Sequence, residues 1–147
     1  MIEGVELTKL FQHFDSRGAV FKFLRSDSPT YKFFGESYFS IINEGVVKGW
    51  KFHKIAIQNF SVPFGKVKFV LYDNRIDSRT KGKIQEIIID DCNEYFLLSL
   101  PANIWYSFKC ESRSKAILAN ITNILHDPEE SISLPINSNE IPYEWIK

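Results

Sequence analysis

The sequence is short of the residues that build most metal and redox centres. It has 2 cysteines, Cys92 and Cys110, and 3 histidines, His13, His53 and His126. There is no Cys-x-x-Cys pair, which removes the common zinc and thiol-redox spacings. No histidine stands two residues before His53, so a metal centre built on a His-x-His couple is not expected. Neither a metal nor a cofactor is expected. Nothing in the spacing selects a disulfide, and a reducing cytoplasm is the default location.

Other absences narrow the function further. Lys plus Arg and Asp plus Glu balance at 18 each, for a net charge of zero, so no global field draws the chain to nucleic acid. No apolar run approaches the roughly 18 residues of a membrane span, and none is expected. The opening Met1-Ile2-Glu3-Gly4-Val5-Glu6 has neither a basic stretch nor a long apolar one and does not read as a secretory signal. No repeat, low-complexity segment or linker is visible.

What the chain does have is aromatic bulk. Of its 147 residues 44% are hydrophobic and 15% aromatic, with 13 Phe. That load suits one strand-rich domain with a packed interior. Strand patterns follow one another: Ala19–Leu24, Ser37–Ile42, Val46–Ile57, Lys66–Tyr72, Lys83–Ile89, Tyr95–Leu100, Trp105–Cys110 and Ala116–Thr122. In Lys66–Tyr72, Val67, Phe69 and Leu71 alternate with Lys66, Lys68 and Val70, a period of two. Many short strands between turn signals indicate an all-β sandwich or barrel. Asp127-Pro128, Leu134-Pro135 and Ile141-Pro142 exclude a long helix in the tail. Residues 126–147 are therefore expected to lie over the barrel as an extended strap.

One segment carries more than fold information. In Gly45-Val46-Val47-Lys48-Gly49-Trp50-Lys51-Phe52-His53-Lys54, strand alternation puts Lys51 and His53 on one face and Trp50 and Phe52 on the other. The ammonium and imidazole either line a cavity or form the wet face of an edge strand.

The order of several fragments resembles the dTDP-4-dehydrorhamnose 3,5-epimerase family of cupins and the related sugar-nucleotide 3,4-ketoisomerases. Asp15-Ser16-Arg17-Gly18 resembles the family's Asp-x-Arg-Gly. Val46-Val47-Lys48-Gly49-Trp50 resembles Val-Leu-Arg-Gly-Leu. Gly65-Lys66-Val67, Asp73-Asn74-Arg75, Ser78 and Thr80 resemble Gly-x-Val, Asp-x-Arg and Ser-x-Thr. Leu100-Pro101 and Trp105-Tyr106-Ser107-Phe108 stand where the family has Ile-Pro and Ala-His-Gly-Phe. His126-Asp127-Pro128 and Ile141-Pro142-Tyr143-Glu144-Trp145 resemble its C-terminal pattern.

The resemblance implies a single cupin domain over 1–147, a double-stranded β-helix or jelly-roll barrel. It also implies a homodimer in which the N-terminal strand joins the partner's sheet. The implied activity is isomerisation of a nucleotide-linked 4-keto-6-deoxyhexose in surface-polysaccharide synthesis. The keto group acidifies the neighbouring C–H; a base removes the proton, and an acid on the other side of the sugar returns one. Cations hold the diphosphate.

The chain departs from that pattern at the reacting centre. Lys51 stands at the epimerase base, Leu125 at the usual acid Tyr, and Tyr106 at a family His; His126 reaches the acid position only with a gap. Lys48-Gly49-Trp50-Lys51-Phe52-His53-Lys54 resembles the ketoisomerase Arg-Gly-x-His-x-His-Lys with its first His replaced and its second kept as His53. Lys51, His53 and Tyr106 are thus the catalytic candidates, with Lys51 a base or a fixed cation. Arg17, Lys48, Tyr72 and Arg75 are the substrate-binding candidates.

Each candidate has a plainer reading. Arg17 would be an exposed turn arginine, Lys48 a solvated strand lysine, Tyr72 and Tyr106 packing aromatics, and Arg75 the structural partner of Asp73. Trp50, Trp105 and Trp145 read as packing residues. The expected pocket lies inside the barrel, lined by Lys51, His53, Tyr72, Tyr106 and Arg75, with Arg17 and Lys48 towards the nucleotide. A non-catalytic sugar-nucleotide-binding module is the alternative, and a lyase or dehydratase is more remote.

Overall fold

The computed structural model describes residues 1–145, so the last two residues of the expected strap lie outside the described residues. Twelve strands and one short 3₁₀ turn make up the regular structure of the described residues. The strands are β1 (Glu6–Lys9), β2 (Gln12–Asp15), β3 (Gly18–Phe21), β4 (Glu36–Ile42), β5 (Val47–His53), β6 (Gln58–Phe64), β7 (Lys66–Tyr72), β8 (Ile84–Asp90), β9 (Phe96–Leu100), β10 (Trp105–Cys110), β11 (Ala116–Thr122) and β12 (Ser131–Leu134). No helix among the described residues is long and apolar enough to cross a membrane.

Two five-stranded antiparallel sheets face each other. The first has the order β1-β9-β6-β11-β4, the second β12-β5-β10-β7-β8, and β2 and β3 form a separate hairpin. From β4 to β12 the chain alternates between the two sheets except at the β7–β8 hairpin, the winding of a cupin jelly roll, so the all-β expectation holds. Period-two alternation decides what lies between the sheets. Val67, Phe69 and Leu71 of β7 meet Phe60 and Val62 of β6, Leu98 and Leu100 of β9, and Leu118 of β11 in one buried cluster. Phe60 and Phe69 bring their rings to 5.4 Å across the gap. Phe69 has no exposed surface, and truncating it to Ala is expected to cost about 3–5 kcal/mol.

The opposite face of the second sheet carries a smaller cluster of Trp50, Val70, Tyr72 and Ile141, with Trp105, Tyr143 and Trp145 against it. Ile141, Tyr143 and Trp145 form a short strap against this face, whereas Ser131–Leu134 is strand β12 of the sheet itself. Trp145 Nε1 donates to Ser107 Oγ at 3.1 Å.

The structure adds β1, β2, β6 and β12, which the sequence reading did not place, and ends β3 at Phe21. The run Val46–Ile57 breaks after His53 because the amides of Ile55 and Ala56 donate to a side chain, Glu130 Oε1, and not to a neighbouring strand. The strand β6 carries Pro63, which lacks a ladder donor. It sits where the β6–β11 register shifts, with Ser61 opposite Ala119 and Phe64 opposite Ile117, a place where proline is tolerated.

A candidate active site at one mouth of the roll

β5 places the candidate residues through a bulge. Tyr106 of β10 pairs with Lys51, but Phe108 pairs with Lys48. Gly49 and Trp50 thus stand opposite Ser107 alone. The extra residue puts Lys48 on the same face as Lys51, although a spacing of three would normally separate them. Gly49 fits because a Cβ there would lie 3.0 Å from the Leu134 carbonyl oxygen and 3.3 Å from Ile136. Past the bulge His53 faces inward and Phe52 outward, where its ring meets Trp105 at 5.0 Å. The loop entering β10 fixes the end of β5: Asn103, in the left-handed region at φ 67°, donates its amide to the His53 carbonyl at 2.7 Å.

His53 is held from both ring nitrogens. Nδ1 lies 2.7 Å from Glu130 Oε2, and Nε2 lies 3.1 Å from the Tyr106 hydroxyl. The His53 and Tyr106 rings stack at 5.9 Å and 11°. Glu130 closes a 3₁₀ turn over Pro128–Glu130 capped by Asp127, just before β12. Burial alone would raise its carboxyl, but the Ala56 amide, the His53 ring and the Ile55 amide together hold it below the ordinary carboxylate value. An ionised Glu130 only accepts, so Nδ1 carries the proton. In the neutral ring Nε2 is then the acceptor of the Tyr106 hydroxyl. Tyr106 is 4% exposed. Burial first, then Tyr38 and Glu130, raise its phenol far above the ordinary value, so it stays a neutral donor.

The facing wall is polar at the same end. Tyr38 of β4 pairs with Asn120 of β11, and Asn120 with Phe60 of β6. Asn120 Nδ2 donates to Tyr38 Oη at 2.7 Å and to Gln58 Oε1 at 2.6 Å. Gln58 Nε2 is buried with no partner among the described residues. The roll is hydrocarbon through its body and polar at this mouth. An imidazole–carboxylate pair there can accept a proton, and unpaired ammonium groups beside it can meet anionic charge.

The sequence candidates scatter. Lys51, His53, Tyr106 and Lys48 share the inward face, and neither ammonium forms an ion pair among the described residues. Tyr72 does not line the interior. It falls on the even positions of β7 with Val70 and belongs to the cluster beneath the strap. Arg75 does not reach the mouth either. Its guanidinium grips Asp73 through Nε and Nη2 at 2.9 Å each and donates to the Glu3 carbonyl. It borders an outward hollow of about 740 Å³ with Phe52 and Trp105, so the plainer reading of the Asp73–Arg75 pair describes its geometry. Arg17 lies at the tip of the β2–β3 hairpin with 88% of its side chain exposed, paired among the described residues with Asp15 alone at 2.6 Å.

Glu130, Tyr38, Asn120 and Gln58 were not singled out from the sequence. Tyr38 was accessible in principle, since Tyr38, Ser40 and Ile42 alternate on a strand the pattern did locate. Glu130 was not, because its contact spans 77 residues.

Two facing antiparallel sheets with a polar end are the cupin architecture that the sequence led one to expect. No family model matches the chain, but individual proteins do. A probable low-salt glycan biosynthesis epimerase of Haloferax volcanii is 32% identical over 145 residues, covering 97% of this chain and 89% of its own length. A spore coat polysaccharide biosynthesis protein of Bacillus subtilis is 27% identical over 147 residues, covering 99% and 97%. The crystal structure of a dTDP sugar isomerase from Desulfovibrio desulfuricans superposes with a TM-score of 0.96 at 38% identity, covering 98% of this chain and 92% of that one. The chain belongs to the dTDP-4-dehydrorhamnose 3,5-epimerase-like family of sugar-nucleotide epimerases and isomerases.

Proposed function

We propose that the protein is an isomerase of a nucleotide-diphosphate-linked 4-keto-6-deoxyhexose, working in the synthesis of a surface glycan. The observation that carries this reading is the pinned imidazole. With Glu130 on Nδ1, the Nε2 lone pair is turned inward and is available to a C–H acidified by an adjacent carbonyl. Substrate displaces the Tyr106 hydroxyl from Nε2, and Tyr106 then serves as a neutral donor to the sugar. Lys51, directly across from Tyr106, stabilises the developing enolate oxygen as a fixed cation. Lys48, further along the same face, meets the diphosphate. The names of the relatives, a glycan epimerase, a spore coat polysaccharide protein and a dTDP sugar isomerase, support the substrate class.

The working unit in this reading is a homodimer. Among the described residues the β2–β3 hairpin pairs with no other strand, and an isolated hairpin is marginal in water. It exposes Phe11, Phe14 and Val20, while the outer face of the first sheet exposes Phe39, Ile41 and Phe64. A second copy covers both surfaces and brings Arg17 to the neighbouring mouth.

Incubation with a dTDP-4-keto-6-deoxyhexose in heavy water tests the activity. Deuterium at C3 and C5 is the epimerase outcome. Deuterium at C3 with migration of the keto group is the 3,4-ketoisomerase outcome, a second reading favoured by the retention of His53 in the His-x-His-Lys pattern. Binding without any label makes the protein a sugar-nucleotide-binding module and overturns the enzymatic reading.

A further inference from the structure

The resemblance puts Leu125, exposed and apolar, at the acid position, so the keto-sugar reading needs a proton-returning group elsewhere on the far wall. Tyr38 meets the requirement. Its strand, β4, is an edge of the first sheet, whereas His53 is on the second. Tyr38 pairs with Asn120. Ile42, four residues on along β4, and Leu118, two residues before Asn120 on β11, lie in the core between the sheets, so alternation turns the Tyr38 phenol inward.

The hydrogen-bond accounting sets it apart. Asn120 is 1% exposed and its amide is fully committed. Nδ2 donates to Gln58 Oε1 and to Tyr38 Oη, while Oδ1 accepts from the Asn59 amide at 3.2 Å. Tyr38 is therefore an acceptor towards Asn120. Its own O–H hydrogen has no acceptor among the described residues and is free to point into the mouth. Burial raises the phenol above its ordinary value, outweighing the Asn120 hydrogen bond, with Glu36 adding to the rise, so the proton is retained at neutral pH. Tyr38 also acts electrostatically on Tyr106, the residue hydrogen-bonded to His53.

We propose that Tyr38 is the catalytic acid opposite His53, returning a proton to the enolate carbon on the face away from the imidazole, with Asn120 and Gln58 as positioning residues. This rests on the keto-sugar isomerase reading above. In the forward step Nε2 of His53 takes the proton, the C–H pair becomes the enolate double bond, and the carbonyl π pair moves to oxygen. In the return step the enolate re-forms the carbonyl as its carbon takes the Tyr38 proton. The imidazolium then loses a proton to solvent and the phenolate gains one, which restores the site.

The test follows washout and product formation together, by proton NMR in heavy water with a dTDP-4-keto-6-deoxyhexose. Wild type, Tyr38→Phe and His53→Gln are compared. Tyr38→Phe is expected to keep washout within about threefold of wild type, because His53 still removes and returns the proton on its own face, while product forms at least about 100-fold more slowly. His53→Gln loses both. Product at the wild-type rate from Tyr38→Phe overturns the assignment. So does loss of washout and product together in a variant with an unchanged melting temperature, or loss of sugar-nucleotide binding, which would make the hydroxyl a binding group. Absence of washout in wild type defeats the parent reading instead, and this assignment with it.

Discussion

Glu130 and His53 are separated by 77 residues in sequence and by 2.7 Å in space. The same carboxylate that holds Nδ1 accepts the amides of Ile55 and Ala56 through its other oxygen. One side chain thus ends β5 and sets the tautomer of the imidazole at its tip.

That double role predicts the behaviour of its variants. Glu130→Gln turns an amide NH₂ towards Nδ1 and favours the opposite tautomer, with the proton on Nε2. A fall in kcat of about 10²–10⁴-fold is expected, as for His53→Gln. Glu130→Ala also strands the buried Ala56 amide and the part-buried Ile55 amide, and chemical denaturation should show a loss of roughly 2–4 kcal/mol. Wild-type turnover by Glu130→Gln would remove the tautomer argument.

The two tyrosines picked out from the sequence should part company. Tyr106→Phe removes the hydroxyl on His53 Nε2 and is expected to lower kcat/KM by about tenfold or more. Tyr72→Phe alters the cluster beneath the strap and should leave kcat/KM within about twofold, in line with ordinary substitutions remote from a site. Steady-state kinetics on both variants decides this.

Lys51 as a fixed cation can be separated from Lys51 as a base. Lys51→Arg keeps the charge and should keep ligand affinity. Lys51→Met should raise the Kd for the sugar nucleotide by about 10–100-fold, the value of one charge-assisted hydrogen bond. Calorimetric titration at two salt concentrations provides the readout. Lys51→Arg that binds normally yet shows no washout would make the amine the base.

Asp73 governs acid stability. Burial alone would raise its carboxyl, but Arg75, Ser78, Thr80 and the Arg75 amide hold it far below the ordinary value of 3.8. A carboxyl depressed by folding stabilises the protein above its unfolded value, and that contribution is lost as pH falls from about 5 downward. Asp73→Asn is therefore expected to cost about 3 kcal/mol at pH 7 and to flatten the decline in stability towards acid. Denaturant melts at a series of pH values test both.

The dimer has its own test. Phe39 is 72% exposed and Ile41 62% exposed on one face of an edge strand. Ile41 aligns with Ile117 and Phe64 across the outer face of the first sheet. Phe39→Asp with Ile41→Asp should give a monomer by light scattering with the fold intact. A wild type that is already monomeric at micromolar concentration would remove the partner-delivered Arg17.

Alternation and turn chemistry are local, so the sequence alone located most of the strands. Lys66–Tyr72, Trp105–Cys110 and Ala116–Thr122 fall where the pattern put them. The same local rule separated Lys51 and His53 from Trp50 and Phe52, and the order of short motifs indicated the family. Tertiary structure decided the rest. The inward turn of Lys48 depends on a bulge seen only against β10, the outward place of Tyr72 on which face of β7 the strap covers, and the grip of Arg75 on a loop closing over the N-terminus. Glu130 comes from the 3₁₀ turn before β12 and Tyr38 from β4, segments whose own patterns are unremarkable. Their meeting at one mouth is a property of strand order, which short-range periodicity does not encode.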